Sequence, residues 1–213
     1  MTRLLFVRHG QSVANLERYF AGQIDPALTE LGLRQAERTA EFIANTYSVD
    51  AVYSSDLQRA YCTGLAVSKR LGLPITIDQG LREIFAGSWE GRGFDELAAE
   101  QSPAYVQWHA DIGNAKCPDG ETVAELADRV YQTVRRIAEA NEGKTVVLAS
   151  HATPIRTVEW TASGKDLGFM RQIPWVTNAS VSEFLYENGE LKPVAISQDR
   201  HLGDMVTALP AKI

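Results

Sequence analysis

Apolar residues fall along this chain in two alternating patterns: short unbroken runs, and longer stretches with a three- and four-residue period. Leu4–Val7 is an unbroken run, as expected of a strand covered on both faces. From Thr29, which is placed as an N-cap, Leu33, Ala36, Ala40 and Ile43 follow a helical period. Ala51–Ser54 reads as a second strand. Asp56 is placed to cap the next helix, which runs to about Leu71, where Gly72 and Pro74 stop it. Ile75–Ile77 is a brief third strand. Between 92 and 118 the pattern is less regular, with short helices expected around Phe94–Ala99 and Ala104–His109. Thr122 and Glu125 form a capping box for a helix whose apolar stripe is Val123, Leu126, Val130, Val134 and Ile137. Thr145–Ala149 is the clearest buried strand. A helix should follow it directly, with Thr153 as cap and Pro154 at the first helical position. Val181–Tyr186 and Leu191–Ile196 flank Asn188-Gly189, a two-residue hairpin signal, and the stretch after His201 reads as a surface tail.

Strands alternating with helices predict an α/β protein, a three-layer α/β/α sandwich with a mostly parallel central sheet. There is no repeat, low-complexity tract or linker, so the expectation is one domain over 1–213 with a lid or insert around 85–121. With 45% hydrophobic and 23% charged residues, a packed core is possible and wholesale disorder is excluded. The 21 lysines and arginines are outnumbered by 27 acidic residues, a net charge of −6, which argues against nucleic acid as a partner. Any anionic substrate must then be drawn into a local basic pocket against the overall field. The apolar run before Arg8 is too short for a signal segment, and no stretch approaches the roughly 18 apolar residues of a membrane span. The expectation is a soluble cytoplasmic protein without a membrane partner. Cys62 and Cys117 form no CxxC pair, and no acidic cluster near the motifs suggests a metal. Gly143-Lys144-Thr145 imitates the end of a phosphate-binding loop, but it precedes a strand and Ala138 stands where the motif needs glycine. Asn178-Ala179-Ser180 fits the glycosylation triplet and carries no meaning without a secretory signal.

Two histidines occupy matching places. His9 follows the first strand by one residue, Arg8, and His151 follows the strand Thr145–Ala149 by one residue, Ser150. Ligands of open α/β sheets bind outside the carboxyl ends of the strands, so both imidazoles should face that crevice. Gly10 would let the backbone approach a ligand. Arg59 lies in the first turn of the helix after Ala51–Ser54, where an anion held between its guanidinium and the free N–H groups would offset an otherwise unfavourable position. The plainer reading is a surface arginine paired with Asp56. Two arginines, two histidines and a helix terminus at one strand-end crevice describe a phosphate pocket, since the guanidinium fork matches two phosphate oxygens. A histidine with a free ring nitrogen could attack phosphorus, and a leaving alkoxide would need a proton. Glu83, in LREIFAGSWEG (81–91), is the candidate acid, with burial expected to keep it protonated; an ordinary salt bridge to Arg82 is the alternative.

LLFVRHGQS (4–12) resembles the signature of the histidine phosphatase superfamily, also called the phosphoglycerate mutase-like family. YSSDLQRAYCTG (53–64) resembles its second arginine motif, LREIFAGSWEG its acid motif, and VVLASHATPIR (146–156) its second histidine motif. CPDGET (117–122) resembles the segment that precedes a long helix in the family, and the pieces occur in the family's order. The resemblance implies His9 as nucleophile, with Arg8, Arg59, His151 and Asn15 holding the phosphoryl group. Glu83 would protonate the leaving group and then activate water, with no metal or other cofactor. Ser12 stands where threonine is common, Ala152-Thr153 replaces a glycine pair, Ala86 an aromatic and Cys62 a glutamine. Sixty-eight positions separate Glu83 from His151, and between 92 and 121 two basic residues face six acidic ones. That favours the short phosphatase branch over a cofactor-dependent phosphoglycerate mutase, which needs a basic insertion to retain a bisphosphate. A non-catalytic phospho-ligand module is the remote third reading. The implied partner is a small phosphomonoester; family substrates include phosphorylated sugars, phosphoglycerates, phosphoserine and the nucleotide-loop phosphate of cobalamin synthesis. Gln23, Phe85, Trp89, Tyr105, Trp108 and His109 are candidates for specificity, with plain packing as the alternative. Monomer and homodimer both remain open, the terminal hairpin arm being a candidate edge.

Overall fold

A computed structural model describes residues 1–207. Its centre is a six-stranded sheet in the order β3-β2-β4-β1-β5-β6. The strands are β1 (Thr2–Arg8), β2 (Ala51–Ser54), β3 (Ile75–Ile77), β4 (Thr145–Ser150), β5 (Val181–Glu187) and β6 (Glu190–Gln198). The first four in spatial order are parallel, and β5 and β6 add an antiparallel hairpin beside β1. The helices are α1 (Val13–Glu17), α2 (Glu30–Thr46), α3 (Gln58–Leu71), α4 (Phe94–Glu100), α5 (Pro103–Ala110), α6 (Val123–Ala140) and α7 (Ala152–Ser163).

Alternation along the strands divides the core in two. Leu5, Val7, Val52 and Val147 point to one face, against Ala36, Ala40 and Ile43 of α2 and Ala66 and Val67 of α3. Leu4, Phe6, Val146 and Leu148 point to the other, against the stripe of α6 and residues Ile155 and Val158 of α7. This is the three-layer α/β/α arrangement. The 85–121 segment extends the second layer: Phe20, Trp89, Phe94, Tyr105 and Trp108 form an edge-to-face aromatic cluster with centroid spacings of 5.3–5.8 Å. Such contacts hold a stretch of short helices in place where periodicity alone is weak.

Local chemistry sets most boundaries. Thr29 accepts the Gly32 N–H at the start of α2, and Thr122 and Glu125 close a reciprocal capping box on α6. Asn188 and Gly189 both adopt positive φ in the β5–β6 turn. Three expectations fail. Asp56 does not cap α3; its carboxylate pairs with Arg82 across the crevice rim, and Leu57 takes the cap position without a side-chain bond. His151, not Thr153, is the N-cap of α7, which places Pro154 third in the helix. The segment after His201 is no loose tail as far as residue 207. Leu202 is buried, the His201 ring stacks on Phe42 at 4.5 Å, and Gln35 donates to the Met205 carbonyl at 2.6 Å. Residues 208–213 lie outside the described residues. Among the described residues no helix is long and apolar enough to cross a membrane.

Candidate active site

The parallel register brings the carboxyl ends of three strands together. Arg8 lies opposite Ser150, and Ser54 opposite Ala149. The residues just past those ends are tied by main-chain bonds: the His9 N–H donates to the Ser150 carbonyl at 3.0 Å, and the Ser55 N–H to Ala149 at 3.0 Å. His9 and His151 therefore emerge side by side, ring centroids 5.2 Å apart. A crevice opens beside His9, lined by Arg8, His9, Asn15, Arg59 and Glu83 among others; His151, fully buried, is next to His9 but not in the lining.

His9 is 4% exposed, and its Nδ1 lies 2.7 Å from the Gly10 carbonyl. A carbonyl only accepts, so Nδ1 carries the proton and Nε2 keeps its lone pair. Burial, then the charges of Arg59 and Arg8, hold the imidazole well below its usual range, so it is neutral around pH 7. His151 is fully buried, and burial followed by Arg59, His9 and Arg8 keeps it neutral as well. Its Nε2 is 3.0 Å from Ser55 Oγ. That hydroxyl, which accepts the Leu57 N–H, can donate to Nε2, and in the tautomer that receives it the proton of His151 stands on Nδ1.

Both arginines are buried cations. Arg8 donates through Nη1 to the Val176 carbonyl, and Arg59 through Nη1 to Ile24 at 2.8 Å and Nη2 to Gly22 at 2.7 Å. Burial draws the Arg8 guanidinium down to about 10 against the opposing pull of Glu83, and lowers Arg59 too; both stay charged at neutral pH. Arg8 Nε, Arg59 Nε and His151 Nδ1 are all buried without a partner. Buried donors are normally satisfied, and leaving one unpaired costs about 1–3 kcal/mol; the two arginines that carry such donors both line the crevice, which suits it to an anionic acceptor.

The surroundings hold these groups rigidly. Asn15 Oδ1 accepts from Ser12 N–H, Ser12 Oγ and Asn178 Nδ2 at 3.0–3.1 Å, which leaves the Asn15 amide donors for the crevice. Asn178 also donates to the His9 carbonyl at 3.2 Å, so the rejected glycosylation triplet supplies a buried brace. The expected anion site at the start of α3 is already filled: Asp25 accepts the Gln58 N–H at 2.7 Å. Gly10 is needed for a close approach, but to α2 and not to a ligand, since a Cβ there would lie 2.3 Å from the Gly32 carbonyl oxygen. Gly22 has φ +49°, and a Cβ on it would lie 2.2 Å from Glu90 Oε1, which receives the Gln23 N–H at 2.7 Å. That fixed loop presents the carbonyls gripping Arg59.

Glu83 is half-buried rather than enclosed. Its Oε1 accepts the Ile84 N–H at 2.8 Å, and its Oε2 accepts the Thr153 N–H at 3.3 Å. Thr153 and Ala152 both line the crevice, so this Ala-Thr pair brings the first turn of α7, and its positive end, to the site. Arg82, the alternative partner of Glu83, is engaged by Asp56.

Of the six specificity candidates only Trp108 lines the crevice. Gln23 braces the rim by donating to the Glu83 carbonyl at 3.1 Å, and Phe85 is exposed and aimed elsewhere. Trp89 and Tyr105 are consumed by the aromatic cluster, and exposed His109 packs against the Tyr105 ring. Tyr19, Phe20, Ile84, Phe94 and Trp175 line it instead, contributed by loops and short helices whose convergence has no periodic signature. Among the described residues no three histidine, cysteine or acidic side chains are grouped to hold a metal.

Strand-end histidines, buried arginines and unpaired donors on this sheet define an α/β protein with a crevice suited to an oxyanion. The chain belongs to the histidine phosphatase superfamily, branch 1, whose family model matches residues 4–199. It is 33% identical over 202 residues to a bifunctional protein of Mycobacterium tuberculosis, an alignment covering 94% of this chain and 55% of that one. The chain thus spans about half the length of the mycobacterial relatives it matches. It is 33% identical over 160 residues to a metal-independent phosphoserine phosphatase of Arabidopsis thaliana, covering 74% of this chain and 67% of the other. Among solved structures, a mycobacterial glucosyl-3-phosphoglycerate phosphatase complexed with VO3 superposes with a TM-score of 0.85 at 28% identity, over 92% of this chain and 99% of that one.

Proposed function

We propose that this chain is a metal-independent phosphatase that hydrolyses a small phosphomonoester through a phosphohistidine on His9. One observation carries the reading: two unpaired buried guanidinium donors, Arg8 Nε and Arg59 Nε, and the unpaired His151 Nδ1 accompany an imidazole whose Nε2 lone pair is free. The kinship with named phosphatases supports it.

In the first step the Nε2 lone pair attacks phosphorus, the ester P–O bond breaks, and its electrons leave on the alcohol oxygen. Glu83, acting in its acid form, gives that oxygen its proton. The guanidiniums of Arg8 and Arg59, His151 Nδ1–H and the Asn15 amide spread the charge of the phosphoryl group in flight. In the second step the Glu83 carboxylate takes a proton from water, the water oxygen attacks phosphorus, and the N–P bond breaks. Phosphate leaves, His9 recovers its lone pair and Glu83 its proton.

Water rather than a second phosphoglycerate is the acceptor in this reading. Within the acidic 92–121 segment Arg92 is spent on Glu96 and Glu100, and the other basic residue, Lys116, is exposed and outside the crevice lining, so neither is arranged to retain a bisphosphate. The test is hydrolysis of 4-nitrophenyl phosphate in excess EDTA by the wild type and by His9→Ala. Turnover that resists EDTA and disappears in the variant is expected; turnover that survives in His9→Ala, or that EDTA abolishes, rejects the mechanism.

A further inference from the structure

Resting on that phosphatase reading, we propose that the organic half of the substrate carries no charge: the crevice takes the phosphate ester of a neutral, largely apolar alcohol. The charge inventory of the lining carries this. Its cations are Arg8 and Arg59, and both belong to the phosphoryl group. The two histidines beside them are neutral. The rest of the lining is mostly Tyr19, Phe20, Ile84, Phe94, Trp108 and Trp175, with small residues and the uncharged polar Ser12, Asn15 and Thr153 between them and Glu83 the one acidic group.

A second anion on the substrate, such as a carboxylate, would sit in this wall without a cationic partner and near the Glu83 carboxyl. Desolvating an unpaired carboxylate is strongly unfavourable, whereas an aliphatic or aromatic group loses nothing polar. The nearby cations stand outside this wall. Arg18 pairs with Asp95 on the surface. Arg156 donates to the carbonyls of Met170 and Ile173, its guanidinium carbon lies 3.9 Å from the Trp175 ring centroid, and its Nη1, buried without a partner, belongs to a residue outside the crevice lining. Trp175, not Arg156, forms the crevice wall. Arg82 is held by Asp56, and Arg129 by Glu121 and the carbonyls of Gly80, Arg82 and Glu83. What the wall offers to polar atoms is uncharged. The indole N–H of Trp108, buried and without a partner, suits a hydroxyl or carbonyl oxygen.

Binding of phosphonates, which cannot be hydrolysed, separates this inference from the chemistry. Calorimetry with the whole protein would compare 4-carbamoylbenzylphosphonate with 4-carboxybenzylphosphonate, which match in size and differ in charge. The neutral compound is expected to bind at least tenfold more tightly. Equal affinity, or tighter binding of the carboxylate, overturns the proposal even if 4-nitrophenyl phosphate is hydrolysed through His9. If neither phosphonate binds, the apolar wall is not a substrate surface and the proposal fails. Loss of His9-dependent turnover with the expected binding ratio intact would instead reject the phosphatase reading alone.

Discussion

The imidazoles of His9 and His151 lie 5.2 Å apart, centroid to centroid, at the ends of adjacent parallel strands, and neither ring carries a proton charge at neutral pH. The same buried arginines that ready the crevice for an anion suppress protonation of both rings. A neutral imidazole and a cationic cradle are thus one electrostatic arrangement. The main chain enforces it by gripping Arg8 and Arg59 through carbonyls that leave one Nε donor on each unspent.

Arg59→Lys tests that cradle. An ammonium has three donors on one nitrogen, so it cannot span the Gly22 and Ile24 carbonyls and also present the separate, planar donor that the guanidinium keeps. The variant should fold, because the carbonyl contacts can be partly kept, yet lose about 10²–10³ in kcat/KM, the range seen when one oxyanion donor is removed. Steady-state kinetics with 4-nitrophenyl phosphate measures it; a loss below tenfold would place Arg59 outside the phosphoryl site.

Glu83→Gln should separate leaving groups. A nitrophenolate departs without help, while an alkoxide needs the proton that glutamine cannot give. In kcat/KM, which reads the phosphorylation step, the loss should therefore be small with 4-nitrophenyl phosphate and about 10²–10⁴-fold with an alkyl phosphate, while kcat falls for both because water activation also needs Glu83. Equal losses in kcat/KM on the two substrates would remove Glu83 from the proton-transfer step.

Stability should depend on pH through the two histidines. Their folded-state values lie below 6.5, so in mildly acid solution the unfolded chain binds protons that the folded chain refuses. Stability is therefore complete above pH 6.5 and falls beneath it, by at most about 1.4 kcal/mol per pH unit for each histidine. Urea unfolding across this range should show the slope, and His9→Ala should remove roughly half of it.

The strand ends, and hence the two histidines and Arg8, were legible because β1 and β4 are unbroken apolar runs, and the caps at Thr29 and Thr122 because their chemistry is local. Asp56 misled for the opposite reason: it sits where a cap belongs, but a distant arginine, Arg82, outcompetes the helix end for its carboxylate. The crevice wall was mostly hidden. Trp175 and Tyr19 stand in irregular segments 156 positions apart, and only the closed fold brings them to one surface. Trp89 and Tyr105, which looked equally available, turn into the core with Phe20. Asn178 gave no signal at all, since its role is to hold the His9 carbonyl and Asn15 from across the sheet.

The covalent step is the centre of this account, and trapping it is the most direct test. The protein would be mixed with a good aryl phosphate, quenched in alkali within milliseconds, digested and analysed by mass spectrometry. One added phosphoryl group on the peptide carrying His9, stable to base, labile to acid and absent in His9→Ala, is the result expected. Full turnover with no phosphorylated peptide at any quench time, or with the phosphoryl group on His151, would contradict it.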